Sequence, residues 1–410
     1  MPSLRARYVF PAAAEPIRGG VVTLEGGRIV DVGPGPPGRR VEDLGNVALL
    51  PGLINAHAHL EFSDLAQPIG EPGIAFTEWI SRVVQLFRQG RRSSAEAVRH
   101  GLHESVLAGT TTLGEIAQPG WPADALRAAE IDVTVFLELI APTTQRIAPL
   151  LDLASQHVGD VDPSGHWRAG LSPHAPYTVL PELLTAAVSL SAARRVPLAM
   201  HLAESREEIE LLRHGRGPFV NRAEELGTCD PRLFPPGGRP LDYLRRLAAA
   251  HRALVIHGNY LDEEEWAFLA DRAGQMAVVY CPRTHAFFGH DPYPLRQMLD
   301  AGVLVALGTD SRASSPDLSV LAEMRLAAAS HADVDREQVL RLGTLHAARA
   351  LGVGHEVGSL EPGKQADLAV VALPERDDDP YRLLFDADLP VVGSWRRGTM
   401  RRHGDPFTCT

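Results

Sequence analysis

Val47-Ala48-Leu49-Leu50-Pro51-Gly52-Leu53-Ile54-Asn55-Ala56-His57-Ala58-His59 decides how this chain is read. Residues 47–54 form an apolar run of strand character, and two histidines spaced two apart follow it. In extended backbone, residues i and i+2 share a face, so His57 and His59 can aim both imidazoles at one point. Seven similar runs follow: Thr110–Ile116, Val133–Ile140, Trp167–Ser172, Val196–His201, Ala253–His257, Met276–Cys281 and Val303–Gly308. Between them lie stretches with helical spacing, such as Pro181–Ala193 and Leu318–Ala329. Such alternation implies a parallel sheet with crossover helices. Eight units in about 260 residues predict an α/β fold, a closed (β/α)8 barrel. An open doubly wound sheet is the alternative.

Both ends of the chain read as short strands. Val21–Leu24 and Arg28–Val32 flank Glu25-Gly26-Gly27, a hairpin signal. Gly33–Arg40 is rich in Gly and Pro and is expected to be a loop, as is Gly227–Pro240. Ala366–Val371, Val391-Val392 and the segment around Trp395 add further strands. The expected organisation is a barrel over 51–357 and one small β-sandwich built from 1–50 and 358–410.

Composition narrows the function. Hydrophobic residues make up 45% and charged residues 22% of the 410, a globular balance. A net charge of -11 argues against nucleic-acid partners, which need a basic patch. Cys229, Cys281 and Cys409 are few, scattered and odd in number, with no CxxC pair. That pattern fits a reducing compartment and disfavours a thiolate zinc site. The first twenty residues make a poor signal peptide, and no apolar run approaches a membrane span. The expectation is a cytoplasmic protein with a small-molecule partner and no membrane partner.

An isolated HxH pair reads as easily as two exposed or packed histidines. Here the pattern recurs. His201 and His257 close their own runs, and Asp310 follows the last one in Gly308-Thr309-Asp310-Ser311. In a barrel the C-terminal strand ends share one mouth, so these five side chains would meet. Neutral imidazole suits Zn, Fe, Ni or Mn. Glu204, three residues past His201, can reach the same mouth.

Pro51–Glu61, Ser172-Pro173-His174-Ala175-Pro176-Tyr177, His201-Leu202-Ala203-Glu204, His257-Gly258-Asn259, Gly308–Ser311 and Gly358–Leu368 together resemble the amidohydrolase superfamily. The order matches its cytosine deaminase, chlorohydrolase and adenosylhomocysteine deaminase branch, and the resemblance covers essentially the whole chain. Pro218–Gly227 and Arg239–Leu244 are similar to aminodeoxyfutalosine and related nucleoside deaminases. The resemblance implies one divalent metal, Zn2+ ahead of Fe2+ or Mn2+, on His57, His59, His201 and Asp310. It implies that Glu204 shuttles protons, that His257 orients the attacking water or polarises the substrate, and that His174 touches substrate. Asp310 would also accept a proton during catalysis. A homodimer is the oligomer implied. The expected reaction is deamination of a purine-like or other heterocyclic amine. Ring-amide or imidazolone hydrolysis is the alternative, and a non-catalytic binding barrel the third reading.

Further residues are weighed as substrate contacts. Glu115 and Glu138 end the second and third predicted strands, and Arg283 and His285 follow the seventh. For each, an ion pair or helix cap is the competing reading. Cys281-Pro282-Arg283-Thr284-His285 stands where many deaminases of this branch carry Cys-Pro-x-Ser-Asn. Phe62, Ile74, Phe76 and Trp79 are expected to form a lid, a dimer contact or plain core, and Phe287 and Phe288 to line a cleft or pack. Lys364 is the only lysine and lies in a Pro-Gly-Lys turn outside the barrel, so a carbamylated-lysine bridge between two metals is excluded.

Overall fold

The computed structural model describes residues 2–35, 40–90, 94–127, 130–160, 165–225, 227 and 230–402. Cys229, Cys409, the centre of the Gly33–Arg40 loop, part of the 227–240 stretch and the last eight positions of the C-terminal segment lie outside the described residues.

Eight parallel strands form one sheet in chain order: β1 (Leu53–Ala58), β2 (Thr110–Ala117), β3 (Asp132–Leu139), β4 (Trp167–Pro173), β5 (Pro197–Leu202), β6 (Arg252–His257), β7 (Met276–Tyr280) and β8 (Val305–Leu307). Each matches a predicted run to within a few residues, except at β1. Helices cover the outer face and side chains fill the interior, so the strands are buried on both sides and read as continuous apolar runs. Inward-facing Ile54, Ile116, Phe136, Ala199, Leu254, Ile256, Val279 and Ala306 form the barrel core. Phe136 fits because a Cβ at Gly170 would stand 2.6 Å from its ring.

The sheet closes where β8 returns to β1. Ala58 and Asp310 form a parallel bridge, and the N–H groups of Thr309 and Asp310 both donate to His57 O at 3.1 Å. The Asn55 amide reinforces the seam. Its Nδ2 donates to Thr309 Oγ1 (2.7 Å), and its Oδ1 accepts from Thr309 N–H (3.1 Å). The pairing of β1 with β2 shifts register between Asn55 and Ala58, a bulge-like irregularity at the strand that carries His57. Bulges re-aim side chains beside functional sites.

The predicted run Val47–Ile54 is two strands. Val47–Pro51 pairs antiparallel with Leu368–Ala372 in a terminal sheet, and the barrel starts only at Leu53. Pro51 and Gly52 make the break. At Gly52 a Cβ would stand 2.2 Å from Thr111 Oγ1, so only glycine passes there. The terminal strands form a four-stranded sheet from the N-terminal segment and a six-stranded sheet drawn from both chain ends. They share a core of Leu4, Val22, Leu24, Ile29, Leu49, Leu368 and Trp395. The predicted hairpin is present: Gly26 (φ 57°) and Gly27 (φ 77°) supply the positive φ angles of a type I′ turn.

Gly308 tests the seam. A Cβ there would stand 2.8 Å from His57 Cβ and 2.9 Å from His57 O. We predict that Gly308→Ala lowers unfolding stability by about 1–3 kcal/mol and reduces metal content. A urea midpoint and metal load equal to wild type would show that the seam tolerates widening.

Candidate metal and catalytic site

The predicted ligands meet. One ring nitrogen each from His57, His59 and His201 lie within 4.8 Å of one another, as do ligand atoms of His57, His257 and Asp310. Asp310 Oδ1 is 3.8 Å from both His57 Nε2 and His59 Nε2. The five residues come from the C-terminal ends of β1, β5, β6 and β8, where barrel topology brings them together.

Local structure holds these side chains against their backbone preferences. Ala203 (φ 55°), His257 (φ 69°) and Asp310 (φ 56°) occupy the left-handed region, and each stands at the end of a barrel strand or within three residues of it. Each costs about 1–3 kcal/mol and persists only where the surroundings impose it. After β5 the imposing group is Glu208. Its buried carboxylate accepts the N–H groups of Ala203 (2.8 Å) and Glu204 (2.9 Å), while Asn259 Nδ2 donates to Glu204 O (2.8 Å). Ser205 caps the helix Arg206–His214 by accepting Glu208 N–H (3.2 Å). The turn that presents Glu204 is therefore fixed on every side. Sequence reasoning missed Glu208, although Ser205-x-x-Glu208 has the capping-box spacing that would have found it.

The electrostatics suit a cation. Burial lowers the pKa of His57, His59, His174 and His257 well below the ordinary value and that of His201 to about 4, so the imidazoles are neutral. Neutral imidazole is the ligating form. Burial also raises Asp310 to about 7, and raises Glu204 well above the carboxylate range with Asp310 and Glu208 adding to it. Both ring nitrogens of His57 are buried without a hydrogen-bond partner. A divalent ion answers both features: it gives His57 a partner and the carboxylates a counter-charge.

Hydrogen bonds fix the tautomers. His201 Nδ1 lies 3.0 Å from His174 O, so it carries the proton and leaves Nε2 free. His174 Nδ1 contacts Thr178 Oγ1 (2.7 Å), whose hydroxyl donates to Ala175 O, so His174 Nε2 is likewise an acceptor. Such outer partners orient metal ligands. Glu138, His174 and His201 form another close triad. His201 has one free nitrogen, which serves one ion, so the two groupings compete and a single metal fits.

The other candidates separate. Glu138 faces the mouth beside His174, 3.8 Å from its Nε2, and burial raises its pKa to about 8. Glu115 is on the other face of its strand, with Leu113 and Ala117, and both its oxygens accept the Leu60 N–H (3.1 and 3.0 Å). It anchors the turn after His59. Arg283 is also committed elsewhere. It donates through N and Nε to Glu323 and through Nη1 and Nη2 to Asp317, stapling the segment before the helix Val320–Ser330. Its alternative reading as an ion pair is the one the structure displays. His285 packs against Tyr280, Tyr293 and His290, and Tyr293 OH donates to His257 O (3.0 Å), which sets His285 behind His257.

An aromatic cluster, built from the segments that follow β1, β4, β5 and β7, stands beside the site and touches His174 through Tyr177. Phe76 stacks on Trp79 and meets Phe288 and Phe219 edge-on, and Tyr177 stacks on Phe219 with ring centres 4.0 Å apart. Phe288 is buried in this cluster, and Ile74 and Phe287 pack against it. Trp79 Nε1 donates to Ala313 O (3.0 Å), joining the first loop to the last. Phe62 packs on Phe87 and His59.

Barrel, converging imidazoles and a single aspartate define a metal-dependent hydrolase. Residues 48–401 match the amidohydrolase family, and the chain belongs to it. Among curated relatives, a 5-methylthioadenosine/S-adenosylhomocysteine deaminase of Moorella thermoacetica is 30% identical over 391 residues, covering 88% of this chain and 83% of the relative. The enzyme of that name from Syntrophobacter fumaroxidans is 31% identical over 389 residues, covering 86% and 80%. Among solved structures, Helicobacter pylori aminofutalosine deaminase in complex with methylthio-coformycin superposes with a TM-score of 0.86 at 22% identity, over 98% of this chain and all of that one. An adenosine deaminase from Xanthomonas campestris with bound zinc gives 0.77 at 27% identity, over 97% and 92%. Among the described residues, no helix is long and apolar enough to cross a membrane.

Removing a candidate ligand tests the cluster. Wild type is expected to hold about one equivalent of divalent metal, and His201→Ala almost none, by elemental analysis of dialysed protein. Full metal occupancy in the variant would move the ion away from His201.

Proposed function

We propose that the chain is a mononuclear zinc-dependent aminohydrolase that removes the exocyclic amine of an adenine-type base bearing a sugar or side chain. The observation that carries this reading is the position of Glu204, whose Oε1 lies 3.3 Å from His257 Nε2 beside the ligand cluster. The deaminase relatives support the reaction class, and the zinc bound in the Xanthomonas structure supports the metal.

His57, His59, His201 and Asp310 would hold the ion. When bound, it supplies Lewis acidity and makes a water nucleophilic near neutral pH. The chain's own groups do the rest. Asp310 Oδ2, which accepts from Ser314 Oγ (3.3 Å), takes a proton from the attacking water. Thr284 Oγ1 pairs with Ser314 Oγ (2.9 Å), so the Thr that replaces Ser in the Cys-Pro-x-Ser-Asn run keeps a hydroxyl behind Asp310. His257 orients the water through Nε2. Glu204, its carboxyl buried and held by its fixed turn, carries a proton to the departing nitrogen, which leaves as ammonia. His174 Nε2 offers an acceptor to the base. Glu138, protonated at neutral pH, offers a donor beside it.

The test is ammonia release from a panel of adenine nucleosides and their 5′-substituted derivatives. Glu204→Gln should keep its metal and lose at least about a hundredfold in turnover. Unchanged turnover would remove Glu204 from the mechanism. Product mass separates deamination, a gain of about one dalton, from ring hydrolysis, a gain of about eighteen, as adding water with or without losing ammonia requires.

A further inference from the structure

The opposite end of the barrel carries a feature that the mouth chemistry leaves unused. A cavity of about 640 Å3 opens at the start of β6 and β7, beside the connection from the helix Leu345–Ala350 to the terminal sheets. Arg252, Arg349, His355 and Lys364 line it, and Glu361 is its one acidic residue. Glu361 is already committed: it lies 3.2 Å from Lys364 Nζ and accepts from Ser359 Oγ. Lys364 also donates to Gly354 O and Ser359 Oγ, both at 2.7 Å.

Arg252 and Arg349 have no carboxylate within 4.0 Å among the described residues. Elsewhere in this chain many arginines pair with acids, as Arg232, Arg239 and Arg283 do, while others, such as Arg28 and Arg272, donate to backbone carbonyls. The chain has 51 acidic side chains against 40 basic ones, yet this cavity gathers two guanidinium groups with one carboxyl, Glu361, which feels the charge of Arg349 and is bonded to Lys364. Burial without a counter-charge lowers the Arg252 pKa from its usual value. Arg252 is also held in place. Its Nη1 donates to Arg349 O (2.8 Å), and a Cβ at Gly352 (φ 81°) would stand 2.9 Å from its Nε. The backbone is cut back so that the guanidinium can lie against it.

We propose that this cavity is an oxyanion site for a phosphate group, free or carried on a small metabolite, with Arg252 and Arg349 as its charge donors. Guanidinium forks match phosphate oxygens two at a time. The volume falls within the range of small-molecule pockets, about 300–1,000 Å3. Ala13, Ala273 and Leu345 give the cavity an apolar wall for the body of an ester. A ligand held there would join β6, the last barrel helix and the link to the terminal sheets, and so would raise stability. The competing role for Arg252 is to cap the helix Leu345–Ala350 through the Arg349 carbonyl, which requires no ligand.

Titrating the metal-loaded protein with inorganic phosphate at constant ionic strength distinguishes them, by calorimetry and melting temperature. Arg349→Gln is the first variant, because that side chain is exposed and makes no hydrogen bond among the described residues. Wild type should show a saturable stabilisation that weakens at least about tenfold in Arg349→Gln. Should that variant lose stability before any phosphate is added, Arg252→Lys, which keeps the charge but not the fork, is expected to show the same loss. Phosphate bound at the catalytic metal would ignore both substitutions, so equal titrations in wild type and variants overturn the proposal, as does the absence of a saturable effect. Ribose 5-phosphate identifies the source. Tighter binding than inorganic phosphate assigns the site to an ester, and equal or weaker binding assigns it to the free ion.

Discussion

Everything chemical in this protein depends on the seam at which the eighth strand returns to the first. One carbonyl, His57 O, receives the amides of Thr309 and Asp310, and the Asn55 side chain clamps Thr309 from both sides. The same few residues thus close the barrel and set His57 against Asp310. Two candidate ligands separated by some 250 positions become neighbours through backbone hydrogen bonds.

The arrangement is costly where no cation balances it. Neutral imidazoles, raised carboxyls, an unsatisfied His57 ring and three residues in left-handed backbone gather in one buried volume. Packing interiors do not assemble such groups for stability, since buried polar atoms without partners and strained φ angles each oppose folding. The surrounding structure pays for them through rigid supports: Glu208 beneath Glu204, Ser314 and Thr284 behind Asp310, and Tyr293 behind His257. The aromatic cluster meets the site through Tyr177, whose ring stands edge-on to His174.

The barrel was legible because strands buried on both faces leave long apolar runs, and because ligand-type residues recurred at their ends. Barrel closure implies that five ligand-type side chains meet at one mouth, and the family resemblance, not topology, selects four of them as the metal ligands. What the sequence hid was local. Nothing in Val47–Ile54 marks the change of sheet at Pro51-Gly52, since a strand that leaves one sheet and a strand that enters another look alike until the Thr111 contact is seen. Glu115 and Arg283 were weighed as substrate contacts because they stand near strand ends. The direction of each side chain, outward for Glu115 and toward Glu323 for Arg283, depends on strand parity and on partners 55 and 40 positions away. The left-handed turns at Ala203, His257 and Asp310 left no trace in residue type, because none of the three is glycine.

Anomalous diffraction from crystals grown with zinc, collected on both sides of its absorption edge, tests the central claim most directly. The account predicts one strong peak enclosed by His57, His59, His201 and Asp310. A peak seated instead on Glu138 and His174, or none within reach of Asp310, would contradict it.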